Sequence, residues 1–397
     1  MKYAIKLMNV IAREGLDLLG DDYELTSDIA VPDGILVRSS TVDTDDYPGL
    51  LAVARAGSGV NNISVDKASE QGVCVFNTPG ANANAVVDLV FPMVGVWLRN
   101  IYKGVEFCQS LAGVDPAKIQ GEVEGKKAAF RGVEIAGKNL GVVGLGQIGV
   151  RLANGGVHRF MNVKGFDPKP AIGNIHQLLP EVTMTRTLGQ TLVDADIVSL
   201  HLPLNQGTRG LVDEDFLAKM KNSAILVNYA RGPIVNEKAV LKALDEGHLQ
   251  GYITDFPTAE AIGHPSVLTT PHLGASTSES EENCAVMAVN ELSTYLEYGN
   301  IVHSVNFPNV ESTPSANVDT RLIMINRDVP GMIAYASNII SRFNINIASY
   351  INESNGSIGY NIIDLEAPVG PELVEEIGSN ANVIRTRVIR FKAYKAA

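Results

Sequence analysis

The chain has 397 residues, 45% hydrophobic and 19% charged, with 37 glycines and a formal net charge of −12. That length and apolar content supply two or three packed cores, which excludes disorder and fibrous architecture. The acidic balance, with a pI near 5.1, argues against nucleic acid or a membrane surface as partner, since both would repel it. Cys74, Cys108 and Cys284 are odd in number and widely spaced, which fits buried thiols in a reducing compartment better than a disulfide framework or a zinc site, so a cytoplasmic location is expected. The most apolar run, Ala85 to Leu98, falls short of the roughly 20 residues of a bilayer crossing. It also holds Asp88 and Pro92, and Lys2 and Lys6 interrupt the first apolar segment. Neither export nor anchoring is indicated.

Residues 1–95 read as an α/β unit with strands at Ile35-Leu36-Val37, Leu51-Ala52-Val53-Ala54 and Val73-Cys74-Val75-Phe76. The second run leads into Arg55-Ala56-Gly57-Ser58-Gly59 and the third into Asn77-Thr78-Pro79-Gly80. These turns gather polar groups and free amides at the carboxyl edge of a sheet, where ligands bind in open α/β folds. Ala83 to Tyr102 reads as a long helix and residues 103–132 as irregular. A second α/β unit opens at Asn139-Leu140-Gly141-Val142-Val143, with strands at Val163–Phe166, Ile197–Leu200, Ile225–Val227 and Gly251–Ile253. The alternation predicts a doubly wound parallel sheet. A helix over Glu279–Tyr298 follows, and Pro308 to Asp319 has the composition of a linker. Residues 320–397 alternate in the order β-α-β-β-α-β, the ferredoxin-like split βαβ.

Gly144-Leu145-Gly146-Gln147-Ile148-Gly149 is a G-x-G-x-x-G placed directly after an apolar strand and before a helical segment. In that context Gly144 makes the tight turn, Gly146 lets the backbone approach a pyrophosphate, and Gly149 lets helix and strand pack closely. The next strand ends at Asp167, 18 residues after Gly149. A carboxylate there accepts ribose hydroxyls and repels a 2′-phosphate, so NAD is expected rather than NADP. His201-Leu202-Pro203-Leu204, after Ile197–Leu200, is placed to line the cofactor from the other half of the sheet, with His201 and Pro203 as contacts.

Oxidation of an alcohol by a nicotinamide needs a base for the hydroxyl proton and a cation to hold an acidic substrate in line. Arg231 follows the strand Ile225–Val227 in Asn228-Tyr229-Ala230-Arg231-Gly232, where a planar guanidinium suits bidentate capture of a carboxylate. Glu260 follows Thr254-Asp255, and His272 stands in Thr270-Pro271-His272-Leu273-Gly274. A Glu–His pair there lets the carboxylate fix the imidazole tautomer. Seven histidines leave alternatives to this triad. There is no G-x-S-x-G, no Walker loop and no cluster of metal ligands, which disfavours serine hydrolysis, phosphoryl transfer and metal catalysis.

Three segments, Gly141 to Gly149, Asn228 to Val235 and Thr270 to Thr277, together resemble the D-isomer-specific 2-hydroxyacid dehydrogenases, and the terminal module resembles an ACT domain. The resemblance implies two interleaved doubly wound domains: substrate-binding residues 1–95 and 280–310, and a Rossmann-like NAD domain at 96–279. A linker at 311–319 and an ACT domain at 320–397 complete the chain. It further implies catalytic roles for Arg231, Glu260 and His272. Gln147, Ile148, Thr208, Ala230, Asp255 and Gly274 join the cofactor contacts, with Asp255 against the nicotinamide amide and Thr208 near the phosphates. Arg55, Ser58, Gly59 and Asn77 become substrate contacts, and Asn326, Asp328 and Asn346 regulatory ones.

The implied reaction is NAD-dependent oxidation of 3-phospho-D-glycerate to 3-phosphohydroxypyruvate, the first step of L-serine synthesis. It would run in a homodimer or homotetramer with L-serine as effector. The alternatives are a reductase for another D-2-hydroxy acid (glyoxylate, hydroxypyruvate or lactate) and a nucleotide-sensing binding protein on the same fold. Asp255 to Ala261 lacks the family's Val after the Asp and Pro after the Glu, yet Glu260 keeps the family's interval of 29 residues from Arg231. The phosphate ligand stays open among Lys126, Lys127, Arg131, Arg38 and Arg55.

Overall fold

The computed structural model describes residues 2–391, so the last six residues of the expected terminal module, 392–397, lie outside the described residues. The chain divides into two compact units, one built from Met1–Asn82 and Glu281–Ala397, the other from Ala83–Ser280.

The first unit opens with five parallel strands: β1 (Tyr3–Leu7), β2 (Tyr23–Thr26), β3 (Gly34–Val37), β4 (Ala52–Arg55) and β5 (Cys74–Phe76), in the order β2-β1-β3-β4-β5. This is the flavodoxin-like order. Strands β3 and β5 are buried at every position and stand out as apolar runs. β1 and β2 are mostly half-exposed and interrupted by Lys6 and Glu24, so no β-branched run marks them.

The second unit holds seven parallel strands: β6 (Asn139–Val143), β7 (Asn162–Phe166), β8 (Thr183–Met184), β9 (Ile197–Leu200), β10 (Ile225–Asn228), β11 (Gly251–Thr254) and β12 (Val267–Thr269). Their order is β12-β11-β10-β9-β6-β7-β8. The central β9, β10 and β11 are buried at every residue, as parallel strands covered on both faces must be. Separate apolar clusters cover the faces, one around Leu226, Phe216 and Val240, the other around Val142, Leu152 and Phe91. Strand order reverses between β6 and β9, so the turns after these two strands flank the topological switch point, where such sheets bind ligands.

Residues 103–132 are not irregular. Helices run over Ile101–Ser110 and Pro116–Lys126, with a 3-10 turn at Lys127–Phe130. Asp115 caps the second helix by accepting the Ala117 N–H at 3.0 Å, and Pro116 stands in its first turn. Neither helix buries a residue, so no apolar stripe reveals the helical period. Among the described residues no single helix is long and apolar enough to cross a membrane.

The C-terminal strands β13 (Thr320–Arg327), β14 (Ile347–Ser354), β15 (Ile358–Leu365) and β16 (Val383–Arg390) form an antiparallel sheet of order β14-β15-β13-β16. The helices Met332–Arg342 and Pro371–Gly378 complete the β-α-β-β-α-β sequence. Period-two alternation splits β13 between two cores. Leu322 and Met324 pack with the helical residues Ile340 and Leu373, while Ile323 and Ile325 join Phe76, Leu292 and Phe307. Both faces of this sheet are therefore covered within the first unit.

Three arginines fasten it there. Arg321, fully buried, makes a bidentate pair with Asp364 (2.6 and 2.9 Å) and donates to the Tyr298 and Ser312 carbonyls. Arg387 donates to the Tyr295 and Leu296 carbonyls, and Arg385 to that of Leu50.

Candidate active site

The glycine turn after β6 has the conformation that its motif predicts. Gly144 has φ 95°, and a β-carbon on it would stand 2.3 Å from the His201 carbonyl oxygen; one on Gly149 would stand 1.9 Å from that of Gly144. Both positions admit only glycine because protein fills the space. At Gly146 nothing lies within 4 Å of such a β-carbon, so the protein itself does not demand glycine there, as expected where a ligand backbone approaches. Helix Gln147–Val157 begins directly after Gly146 with no side-chain cap, which leaves its first amides and positive dipole end for a phosphate. The residues present therefore fit a dinucleotide.

Asp167, at the end of β7, ties this turn together: one carboxylate oxygen accepts the Leu145 N–H at 2.9 Å and the other the Lys169 N–H at 2.8 Å. Across the switch point, His201 Nε2 lies 2.8 Å from Ser199 Oγ, and its Nδ1 is buried without a partner. Burial pushes the imidazole down to about 3, so it is neutral at physiological pH. Pro203 and Thr208 lie on the following loop, with Thr208 Oγ1 donating to the Pro203 carbonyl at 2.5 Å.

Arg231 is shaped by a residue that sequence reading passes over. Asn228, the last residue of β10, is fully buried. Its side chain accepts the Ala230 N–H at 3.1 Å and donates to the Arg231 carbonyl at 3.1 Å, an Asx-type turn. This turn sets the guanidinium at the strand end, where its one side-chain hydrogen bond among the described residues is to the Ala230 carbonyl, 2.7 Å. Burial lowers the Arg231 pKa, yet among the described residues no carboxylate pairs with it. A partly desolvated, uncompensated cation is costly in a folded protein and is retained where an anion is to be bound.

His272 stands in a turn held by Asp255, itself 2% exposed. One Asp255 oxygen accepts Thr270 Oγ1 (2.6 Å) and the Leu273 N–H (2.8 Å), and the other the Gly274 N–H (2.7 Å). The Asp255 carbonyl accepts the His272 N–H at 3.1 Å. Thr270 and Tyr229 continue the network at 3.2 Å. The signal for this organiser was the acid directly after β11, but its partners lie 15 to 19 residues on, out of reach of local pattern. Glu260 is exposed, and its carboxylate makes no hydrogen bond or ion pair among the described residues, with His272 or any other group.

The predicted substrate and regulatory positions belong to the first unit. Arg55 Nε donates to the Arg38 carbonyl at 2.9 Å and its Nη1 to that of Gly59; Asn77 Nδ2 donates to the Ser58 carbonyl at 2.6 Å. Arg55 and Asn77 thus shape the loop through Ser58 and Gly59. Arg38 pairs with Glu281 at 2.6 Å. Asn9, another residue the sequence did not single out, accepts the N–H groups of Arg38, Ser39 and Ser40. In the terminal module Asn326 accepts from Asn361 (2.7 Å), Asp328 from Ser354 (2.6 Å), and Asn346 donates to Glu366 (2.7 Å). Each of these three is bonded to a different partner, and none to another of the three.

The sequence profile of the D-isomer specific 2-hydroxyacid dehydrogenase, NAD binding domain, matches residues 106–274. With the whole-chain similarity below, this shows that the chain belongs to the D-isomer-specific 2-hydroxyacid dehydrogenase family of NAD-dependent oxidoreductases. The relatives are more particular. The D-3-phosphoglycerate dehydrogenase of Escherichia coli K12 is 30% identical over 388 residues, covering 93% of this chain and 90% of that one. That of Bacillus subtilis is 34% identical over 286 residues, 70% of this chain, which spans about half (52%) of the relative's length. The NAD⁺-bound structure of 3-phosphoglycerate dehydrogenase from Entamoeba histolytica matches 77% of this chain and 99% of that one with a TM-score of 0.61 at 24% identity, a likeness of fold.

Proposed function

We propose that this chain oxidises 3-phospho-D-glycerate to 3-phosphohydroxypyruvate with NAD, the entry reaction of L-serine synthesis, in a reducing, cytoplasmic setting; Cys74 and Cys284 are buried as the sequence suggests, while Cys108 is exposed. The observation that carries this reading is Arg231, a half-buried guanidinium at the end of a central strand of the cofactor unit with no carboxylate partner among the described residues. Arg231 binds the substrate carboxylate and, through the same planar face, polarises the adjoining C2 oxygen. His272 takes the C2 hydroxyl proton onto an imidazole nitrogen and returns it in the reverse direction. Glu260, with its carboxylate uncommitted, orients that imidazole. The glycine turn and the first amides of helix Gln147–Val157 would hold NAD, which would supply the acceptor for the C2 hydride. Asp167 receives the ribose hydroxyls. The loop Arg55–Gly59 with Asn77 is retained as a substrate loop, and Asn326, Asp328 and Asn346 as a serine-sensing set in a homo-oligomer.

A second reading, an unphosphorylated D-2-hydroxy acid as substrate, is favoured by one observation: Arg38 is already paired with Glu281 and Arg55 is bonded to carbonyls, which leaves fewer cations for a phosphate. NADH formation with D-3-phosphoglycerate, D-lactate and D-glycerate, each with and without L-serine, tests both. Preferential turnover of the phosphorylated acid is expected, with serine lowering the rate. Equal or better turnover of D-glycerate supports the second reading, and no turnover of any acid overturns both.

A further inference from the structure

Phe256 makes contacts that the reaction as proposed leaves unused. Its ring centroid lies 5.3 Å from that of His272, with the planes inclined at 60°, within the range of attractive aromatic pairs. Its Cβ and Cγ lie 3.3 and 3.5 Å from the place a β-carbon on Gly232 would take. Phe256 therefore packs onto the backbone immediately after Arg231. The residue is itself anchored, its N–H donating to Thr254 Oγ1 at 3.2 Å.

His272 needs such a neighbour. It sits at φ 57°, a left-handed conformation that costs a non-glycine residue roughly 1 kcal/mol or more. The Asp255 carboxylate and carbonyl hold the backbone of the turn, but they do not touch the ring. The imidazole is exposed and makes no hydrogen bond among the described residues, where its one aromatic contact is with Phe256.

We propose that Phe256 is a positioning residue: packed against both the Gly232 backbone and the His272 ring, it fixes the imidazole relative to the Arg231 turn. The inference rests on the acid–base reading of His272. A proton acceptor about 1 Å out of place costs on the order of 100-fold in rate, so a buttress linking the carboxylate anchor to the base bears directly on turnover. Gly232 permits the approach, since a side chain there would press on Phe256.

The test uses the full-length chain with Phe256→Leu, which keeps an apolar side chain and removes the ring, and Phe256→Tyr, which keeps the ring. With NAD and the preferred D-2-hydroxy acid, Phe256→Leu is expected to lower kcat at least ~10-fold, leaving KM for the acid and NADH affinity within about twofold. Phe256→Tyr is expected to return kcat to within about threefold of the parent. In protein carrying ¹³C-labelled histidine, the His272 ring signal, assigned by its loss in His272→Gln, is expected to carry a ring-current displacement in the parent and Phe256→Tyr that Phe256→Leu removes. An unmoved kcat in Phe256→Leu overturns the proposal, and so does an unmoved His272 signal. A parent protein that oxidises no D-2-hydroxy acid overturns the acid–base reading and the positioning role with it; the NMR signal then still reports separately whether the ring contact exists.

Discussion

In the first unit, the guanidinium groups of five arginines end on protein acceptors. Arg38 meets Glu281, Arg55 the Arg38 and Gly59 carbonyls, Arg321 a buried carboxylate, and Arg385 and Arg387 the carbonyls of Leu50, Tyr295 and Leu296. In the second unit, Arg231 is half-buried, and among the described residues its guanidinium bonds only the neighbouring Ala230 carbonyl. Both kinds of site pay a desolvation cost for the cation, and they differ in what compensates it. In the first unit the compensation is internal, so these arginines hold the fold. On the proposed reading, at Arg231 it is left to the substrate, and the same side-chain chemistry becomes a binding element.

The contrast breaks first at its structural end. Arg321→Met leaves Asp364 as an uncompensated buried charge and is expected to cost about 3–5 kcal/mol of stability, read as the shift in chemical denaturation of the full chain. A loss below 1 kcal/mol would make the internal pairing ornamental. At the catalytic end, His272→Ala is expected to lower kcat by ~100-fold or more, the lower range for a general acid–base group, equivalent to about 2.7 kcal/mol of barrier. Unfolding midpoints within a few degrees of the parent would show that the loss is one of chemistry.

A smaller effect concerns Glu291 of the long helix Ser278–Tyr298. It is 8% exposed, with one oxygen 2.8 Å from His303 Nδ1 and the other buried without a partner. Burial raises its pKa from the usual 4.5 to about 9. A raised folded-state value means that the folded chain holds a proton the unfolded chain releases, so this contribution to stability is full below 4.5 and is lost as pH rises toward about 9. His303, lowered by burial, acts in the opposite direction on the acid side. Glu291→Gln should therefore gain on the parent by a few degrees in Tm between about pH 5 and about pH 8. A difference in Tm that does not change with pH would show that the carboxyl does not titrate as described.

Much of the fold was legible because buried parallel strands are short apolar runs with turn chemistry at their carboxyl ends. β9, β10 and β11 are of this kind, and the glycine turn with Asp167 adds local geometry that a short segment specifies by itself. The half-exposed β1 and β2 and the solvated helices over 101–126 lack any such stripe and were not visible. In the site, Arg231, Glu260 and His272 could be singled out as types at strand ends. What shapes them could not: Asn228 works through a local turn that resembles many others, and Asp255, Thr270 and Phe256 meet the His272 turn across 15 to 19 residues of sequence. The resemblance assigned Asp255 to the nicotinamide; its carboxylate in the structure also organises the turn that carries His272.

The central claim, that Arg231 is kept without an internal anion because the substrate supplies one, is tested most directly by steady-state oxidation of D-3-phosphoglycerate with Arg231→Ala and Arg231→Lys. Loss of a desolvated charge pair predicts that kcat/KM falls roughly 10²- to 10³-fold in Arg231→Ala. Lysine should recover part of the loss through charge without the planar fork, and free guanidinium added to Arg231→Ala should restore activity. An Arg231→Ala protein that retains kcat/KM within about threefold of the parent would contradict the account.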